Sequence, residues 1–296
     1  MHIPLRILAA TDFSCAADQA VQRAAMLAQQ LGAELTLLHV VSPLALYPGM
    51  ESGPETDIWA AACERTAAGQ LDALAEVLRS RYGIAVQTAQ RIGRAYRQIA
   101  DHAAAMGAGL VVLGARGENS LARLLLGSTT WRVLRVRKDP VLVVRNAPVE
   151  AYRRSLAAVD FSPDSHAALA WAAHLSVDGS AEALHVLPDE DERHLRGAGL
   201  SAEAVRQRRV DMRAIAKNLM ANLLADMPAQ AAGHIETGPA AKIILERAAE
   251  RRADLIVLGR QGAGGLEQWL LGSVSKDVAQ AADCDVLLVG SDARPA

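Results

Sequence analysis

Short apolar runs alternate along the chain with longer segments in which apolar side chains recur every three or four positions. In the first half the runs predict strands at Arg6–Ala10, Glu34–Val41, Ala85–Arg91, Leu110–Leu113 and Val141–Val144. The periodic segments between them predict helices over Ala16–Leu31, Thr56–Arg81, Arg94–Met106 and Thr129–Arg137. The second half repeats the βαβαβαβαβ order, with strands near Leu156, Ala183, His234, Leu255 and Val286. Strands that are apolar throughout and separated by helices imply a parallel sheet covered on both faces. Right-handed crossovers then predict a doubly wound α/β fold, in which ligands bind beyond the carboxyl ends of the strands where the strand order reverses.

The two halves also share words. Leu8-Ala9-Ala10-Thr11-Asp12-Phe13-Ser14 returns as Leu156-Ala157-Ala158-Val159-Asp160-Phe161-Ser162, Leu38-His39-Val40 as Leu184-His185-Val186, and Leu113-Gly114 as Leu258-Gly259. Self-similarity of this length predicts two tandem copies of one domain. Turn chemistry at Asn146, Ala147 and Pro148 sets the expected boundary, giving domains 1–147 and 148–296.

Composition narrows the class. Of 296 residues, 51% are hydrophobic and 22% charged, as in a soluble globular protein. With 31 basic and 33 acidic side chains the net charge is −2, which forecasts neither a nucleic-acid footprint nor attraction to anionic membranes; a small-molecule partner is expected. Met1–Arg6 reads as the approach to a strand rather than a signal peptide, and no apolar stretch nears the roughly 20 residues of a membrane span. The three cysteines, Cys15, Cys63 and Cys284, are too scattered for a disulfide framework or a CxxC site, which fits a reducing cytoplasm. Cys15 has two readings, a reactive thiol near a helix start or a small packed residue.

Candidate chemistry follows the fourth predicted strand of each half. Gly114-Ala115-Arg116-Gly117 is followed after nine residues by Gly127-Ser128-Thr129-Thr130, and Gly259-Arg260-Gln261-Gly262 after nine by Gly272-Ser273-Val274-Ser275. One GxxG is weak, because glycine is common at turns and helix caps. Two complete GxxG-x9-G[ST] patterns at matched positions are much stronger. Gly114 and Gly117 would let backbone amides approach an anion without a Cβ in the way. Gly127 and Ser128 would open a helix whose first amides favour phosphate, with Ser128, Thr129 and Thr130 adding hydroxyl donors; Gly272, Ser273 and Ser275 take the same parts.

These motifs, with the Asp-Phe-Ser after the first strand and the Leu-His-Val strand, resemble the universal stress protein family over almost the whole chain, twice. The resemblance implies a five-stranded parallel sheet of order 3-2-1-4-5 in each half, with ATP, or AMP or ADP, bound at the strand ends. Adenosine contacts are then implied for Ala10, Thr11, Asp12 and Val40, and phosphate contacts for Gly114, Arg116, Gly117, Gly127, Ser128, Thr129 and Thr130. The implied second site takes Val159, Asp160, Val186, Gly259, Gln261, Gly262, Gly272, Ser273, Val274 and Ser275, with the strand-end residues Leu113, Ala158 and Leu258 completing both sets. Mg2+ accompanying the phosphates is part of the expectation. The first copy departs from the family at Thr129, where Val is common, and Arg116 and Gln261 stand where His is frequent. The resemblance further implies that single domains pair through their last strands, so an internal pseudo-dimer with Val141–Val144 antiparallel to Val286–Val289 is expected.

Several neighbours have two readings. Asp12 and Asp160 suit a ribose hydroxyl or an adenine edge, and equally the cap of the next helix. His39 and His185 lie in apolar strands and read as satisfied core imidazoles. Arg116 is either a cation for phosphates or a solvated loop side chain, and Trp131 and Trp269 read as packing beneath the loops. Pro43–Pro54 and the charge-rich Asp189–Arg213 are candidate lids, the latter also a solvated helix face. No GxxxxGK[ST] loop, GxGxxG opening, HExxH or GxSxG is present, so no dedicated catalytic machine is predicted. A nucleotide-dependent cytoplasmic stress-response regulator is the leading expectation. A nucleotide-free adaptor, or a weak ATPase or autophosphorylating protein, are its rivals.

Overall fold

The computed structural model describes residues 5–42, 54–116, 126–137, 139–189, 199, 201–225, 227, 231–261 and 271–291, with the backbone alone at 54–57, 59 and 60. Its contacts fall into two compact units, 1–151 and 152–295.

In the first unit β1 (Arg6–Thr11), α1 (Cys15–Leu31), β2 (Glu34–Val41), α2 (Pro54–Tyr82), β3 (Val86–Ile92), α3 (Ala95–Met106), β4 (Leu110–Gly114), α4 (Ser128–Val136) and β5 (Val141–Val144) follow one another. The strands run in the order β3-β2-β1-β4-β5, every neighbouring pair parallel. Ile7, Leu8, Leu35, Leu37, Leu38, Leu110 and Leu142 are fully buried. α1 lays a stripe of Ala17, Ala20, Val21, Ala24, Leu27 and Ala28 on this core. Its start is fixed by Ser14, whose hydroxyl accepts the Ala17 N–H at 3.2 Å, and its end by Gly32 at φ +61°, a left-handed position glycine adopts cheaply. α2 packs through Ala67, Leu71, Ala75 and Leu78, spaced for one helical face. Proline at its first position explains why it begins two residues before the expected Thr56. At the end of the row, β3 reads Val-Gln-Thr-Ala-Gln-Arg-Ile and buries only Val86, as suits a strand with one neighbour.

The second unit repeats the plan with β6 (Ser155–Ala158), α5 (Pro163–Leu175), β7 (Glu182–Leu187), α6 (Ala202–Ala225), β8 (Ala232–Thr237), α7 (Ala240–Glu250), β9 (Leu255–Gly259), α8 (Ser273–Ala281) and β10 (Asp285–Val289). Its order, β8-β7-β6-β9-β10, is again 3-2-1-4-5 and parallel. Its core adds larger groups. Trp171 on α5 is buried with the His174 ring edge-on at 5.7 Å, and burial holds that imidazole below its ordinary pKa. Tyr152 and Asp285 are both buried, the phenol donating to the carboxylate at 2.6 Å across 133 residues of sequence.

Within each unit the strand order reverses between the first and fourth strands. That reversal leaves a crevice at the carboxyl ends of β1 and β4, and of β6 and β9. Among the described residues, no helix is long and apolar enough to cross a membrane.

The Tyr152 to Asp285 bond carries a stability prediction. Tyr152→Phe removes the donor and leaves a buried carboxylate oxygen with one partner fewer, so denaturant unfolding should show a loss of about 1–3 kcal/mol.

Candidate functional site

Each crevice is lined by the turn after the first strand, the loop after the fourth and the start of the helix that follows. In the first unit β1 ends at Thr11, so Asp12 stands one residue beyond the strand, exposed, while Ala10 remains within it and Val40 lies near the end of adjacent β2. The Thr11 side-chain oxygen accepts the Phe13 N–H at 3.0 Å and Asp12 accepts the Ser14 N–H at 3.1 Å, two short loops that turn the chain from strand into helix.

The turn needs an unusual backbone. Phe13 sits at φ +61° and its counterpart Phe161 at φ +64°, a left-handed conformation costly for a bulky side chain. In both copies a histidine of the neighbouring strand braces it. The His39 ring lies 4.6 Å from that of Phe13, and the His185 ring 4.3 Å from that of Phe161. His39 Nδ1 meets the Thr11 carbonyl at 2.8 Å, and His185 Nδ1 the Val159 carbonyl at 2.8 Å. A carbonyl only accepts, so Nδ1 carries the proton in each ring. Both imidazoles are thus satisfied groups of the scaffold, as their apolar strands predict.

The loop after the fourth strand is built alike in both copies. Ala115 donates its N–H to Val144 and accepts that of Gly127, both at 2.8 Å; Arg260 donates to Val289 and accepts from Gly272, again at 2.8 Å. Gly127 at φ −59°, ψ 148° and Gly272 at φ −58°, ψ 148° then open α4 and α8. Glycine at both N-caps supplies no side-chain oxygen to the first amides of these helices. Ser128 and Ser273 are exposed on these first turns and Thr129 and Val274 are half-buried.

Two expectations change in detail. The Thr130 hydroxyl donates to the Gly114 carbonyl at 2.7 Å and the Ser275 hydroxyl to the Gly259 carbonyl at 2.7 Å. Each has one proton and gives it to the protein, so these residues tie helix to loop rather than donate to a ligand. The need for glycine at 114 also has another source. A Cβ there would fall 2.7 Å from the Ala16 carbonyl oxygen, because the loop lies against the α1 backbone. At Gly259 a Cβ would fall 2.6 Å from the Asp164 Cβ. Neither glycine has a positive φ, so close approach to the helix, rather than to an anion, excludes a side chain.

Of the remaining predicted residues, Leu113, Ala158, Val159 and Leu258 are buried at strand ends; Arg116, Asp160, Val186 and Gln261 are half-buried near the crevices. Asp160 follows β6 by two residues. Gly117, Gly262 and Trp269 lie outside the described residues, as do 43–53 of the first candidate lid and 190–198 and 200 of the second, whose residues 202–213 form the largely exposed start of α6; Trp131 is half-buried on α4.

The copies differ at the first turn of the helix after the Asp-Phe-Ser turn. Ala16 and Ala17 of α1 are replaced by Asp164 and Ser165 of α5. The Asp164 Oδ2 accepts the Gln261 N–H at 3.1 Å. The Ser165 hydroxyl donates to Asp160 Oδ1 at 2.9 Å and accepts the Asp160 N–H at 2.9 Å. Comparing the two copies residue by residue just past the shared words was the signal that would have found this pair. Burial raises the Asp164 carboxyl above the usual aspartate range, opposed by backbone hydrogen bonds from Gln261 and Arg260, with the Asp160 charge adding and a bond from Ser291 opposing. In the first copy burial likewise raises Asp18, and the charge of Asp12 adds to it. Among the described residues no cluster of three or more His, Cys, Asp or Glu side chains is arranged to hold a metal ion.

Each half is therefore a doubly wound α/β domain with a strand-end crevice framed by backbone amides. The model of the universal stress protein family matches residues 5–145 and again 151–290, and the chain belongs to that family. A universal stress protein of Mycolicibacterium smegmatis is 31% identical over 96% of both chains. One from Mycobacterium tuberculosis strain H37Rv is 32% identical over 60% of this chain and 61% of its own length. Among solved structures, a universal stress protein from Archaeoglobus fulgidus superposes with a TM-score of 0.71 over 97% of this chain and 98% of its own, at 22% identity, a likeness of fold.

Two measurements check the geometry. Gly114→Ala drives a methyl into the α1 backbone and should destabilise the first unit by about 1–3 kcal/mol in denaturant unfolding. For Asp164, a folded pKa above the unfolded one means that its stabilising contribution is full below the ordinary aspartate range and declines as pH rises through the raised value. The stability of the native chain relative to Asp164→Asn should therefore fall with rising pH across that window.

Proposed function

We propose that the chain is a stress-response regulator that binds an adenine nucleotide, ATP or its products AMP and ADP, in crevices at the strand ends of its domains, 1–147 and 148–296. The observation that carries the reading is the paired opening of α4 and α8 on Gly127 and Gly272, whose first-turn amides stand beside the loop after the fourth strand with no N-cap side chain over them. Such amides, at the positive end of a helix dipole, suit phosphate oxygens. Asp12 and Asp160 lie across the crevice at the end of the first strand, where a carboxylate accepts hydrogen bonds from ribose hydroxyls. The apolar edges of Val40 and Val186 flank the position of a base. A divalent cation would travel with the nucleotide phosphates, whose charge it offsets. Occupancy of a crevice then changes the loop and helix start that frame it, and that change is the signal. A reducing cytoplasm is the compartment that fits the scattered free cysteines.

Titration calorimetry of the full chain with MgATP tests the reading. Binding is expected in the micromolar range of about 10⁻⁶ to 10⁻⁴ M, and Asp12→Ala should weaken the first crevice about tenfold, as loss of a hydrogen bond to a charged group implies. Silence up to millimolar ATP in the native chain would sink it.

A further inference from the structure

We propose that the two crevices are unequal: the second carries its own anion, the Asp164 carboxylate, which competes with the nucleotide phosphates, so that the chain binds one nucleotide tightly and a second weakly. The inference rests on the nucleotide reading above and deepens it.

The GxxG segment is useful to an anion only through its backbone amides. In the second half one of these, the Gln261 N–H, is already given to Asp164 Oδ2 at 3.1 Å. The carboxylate is held there by its helix. Asp164 lies in the first turn of α5, and its Cβ packs so closely on the loop that a Cβ at Gly259 would stand 2.6 Å from it. A phosphate oxygen seeking the Gln261 amide must displace this oxygen and then share the crevice with a second negative charge. The opposite wall is engaged too. Asp160 Oδ1 accepts the Ser162 N–H at 3.1 Å and the Ser165 hydroxyl at 2.9 Å, while its own N–H is given to Ser165 Oγ at 2.9 Å.

In the first half the equivalent positions hold Ala16 and Ala17. Neither side chain has an atom that accepts from the loop amides or donates to Asp12. The backbone frame of the loops is shared, in the bonds at Ala115 and Arg260, the glycine N-caps within 1° of each other in φ, and the hydroxyl ties from Thr130 and Ser275; their side chains differ, with Ala115 and Arg116 where the second copy has Arg260 and Gln261. The first turns differ beyond this pair, Asp18 of α1 standing where α5 has His166, but it is Asp164 that takes an amide of the loop itself, one of the groups the nucleotide reading uses.

Equilibrium binding of ATP to the full chain, with stoichiometry as the readout, decides it. The native chain should show one site per chain, with a second at least tenfold weaker. Asp164→Ala should bring the second site within about threefold of the first, raising the stoichiometry to two at the same nucleotide concentration. Asp164→Asn keeps an acceptor for the Gln261 amide without the charge and should fall between. The reverse change, Ala16→Asp, should weaken the tight site at least tenfold. Circular dichroism melts establish that each variant is folded, and if Asp164→Ala is not, the Asn and Ala16→Asp arms carry the decision. Two equal sites in the native chain, or a folded Asp164→Asn and Ala16→Asp that leave both affinities unchanged, would overturn the inequality while leaving the nucleotide reading standing. Absence of ATP binding in the native chain and every variant would overturn both.

Discussion

The structure depends on one close contact made twice: the loop leaving the fourth strand lies directly against the first turn of the helix that follows the first strand. The measure of that closeness is the space denied to a methyl group, 2.7 Å from a backbone carbonyl at Gly114 and 2.6 Å from a side-chain carbon at Gly259. The contact forms one side of the crevice left where the strand order reverses. It also holds the start of the fourth helix in place, through the hydroxyls of Thr130 and Ser275, at a fixed distance from the Asp-Phe-Ser turn. Both walls of the candidate site thus belong to one rigid corner of each domain.

The turn on the other wall is held by side chains from a different strand. A left-handed phenylalanine is an expensive piece of backbone, and it persists here because an imidazole both stacks on the ring and bonds the carbonyl before it. The arrangement recurs in the second copy with Val159 in place of Thr11, so the histidine rather than the threonine is the common element.

Much of this was legible in the sequence. Apolar runs and helical periodicity located every strand and helix of the first half to within two residues, because fully buried parallel strands and capped amphipathic helices leave strong patterns. The repeated words placed the candidate residues at equivalent positions in both halves, close to the carboxyl ends of matching strands. What pattern alone did not reveal were contacts between segments far apart in the chain. The glycines at 114 and 259 read naturally as room for a ligand, whereas their neighbours in space are Ala16 and Asp164. The hydroxyls of Thr130 and Ser275 read as donors to a ligand, and only their depth of burial and a carbonyl 16 residues earlier turn them inward. The positive φ of Phe13 has no signature in residue type, since phenylalanine is among the residues least expected there.

The apolar positions that dock each helix begin at Ala17 in α1 and at Ala167 in α5, and positions 16 and 164 lie outside them. Substitutions at positions 16 and 164 therefore alter what the crevice presents to solutes without disturbing the layers beneath. A duplicated domain has, at such a place, freedom to diverge, as it has here between Ala16 and Asp164. That divergence needs no new loop and no new core, only a different side chain on the rim.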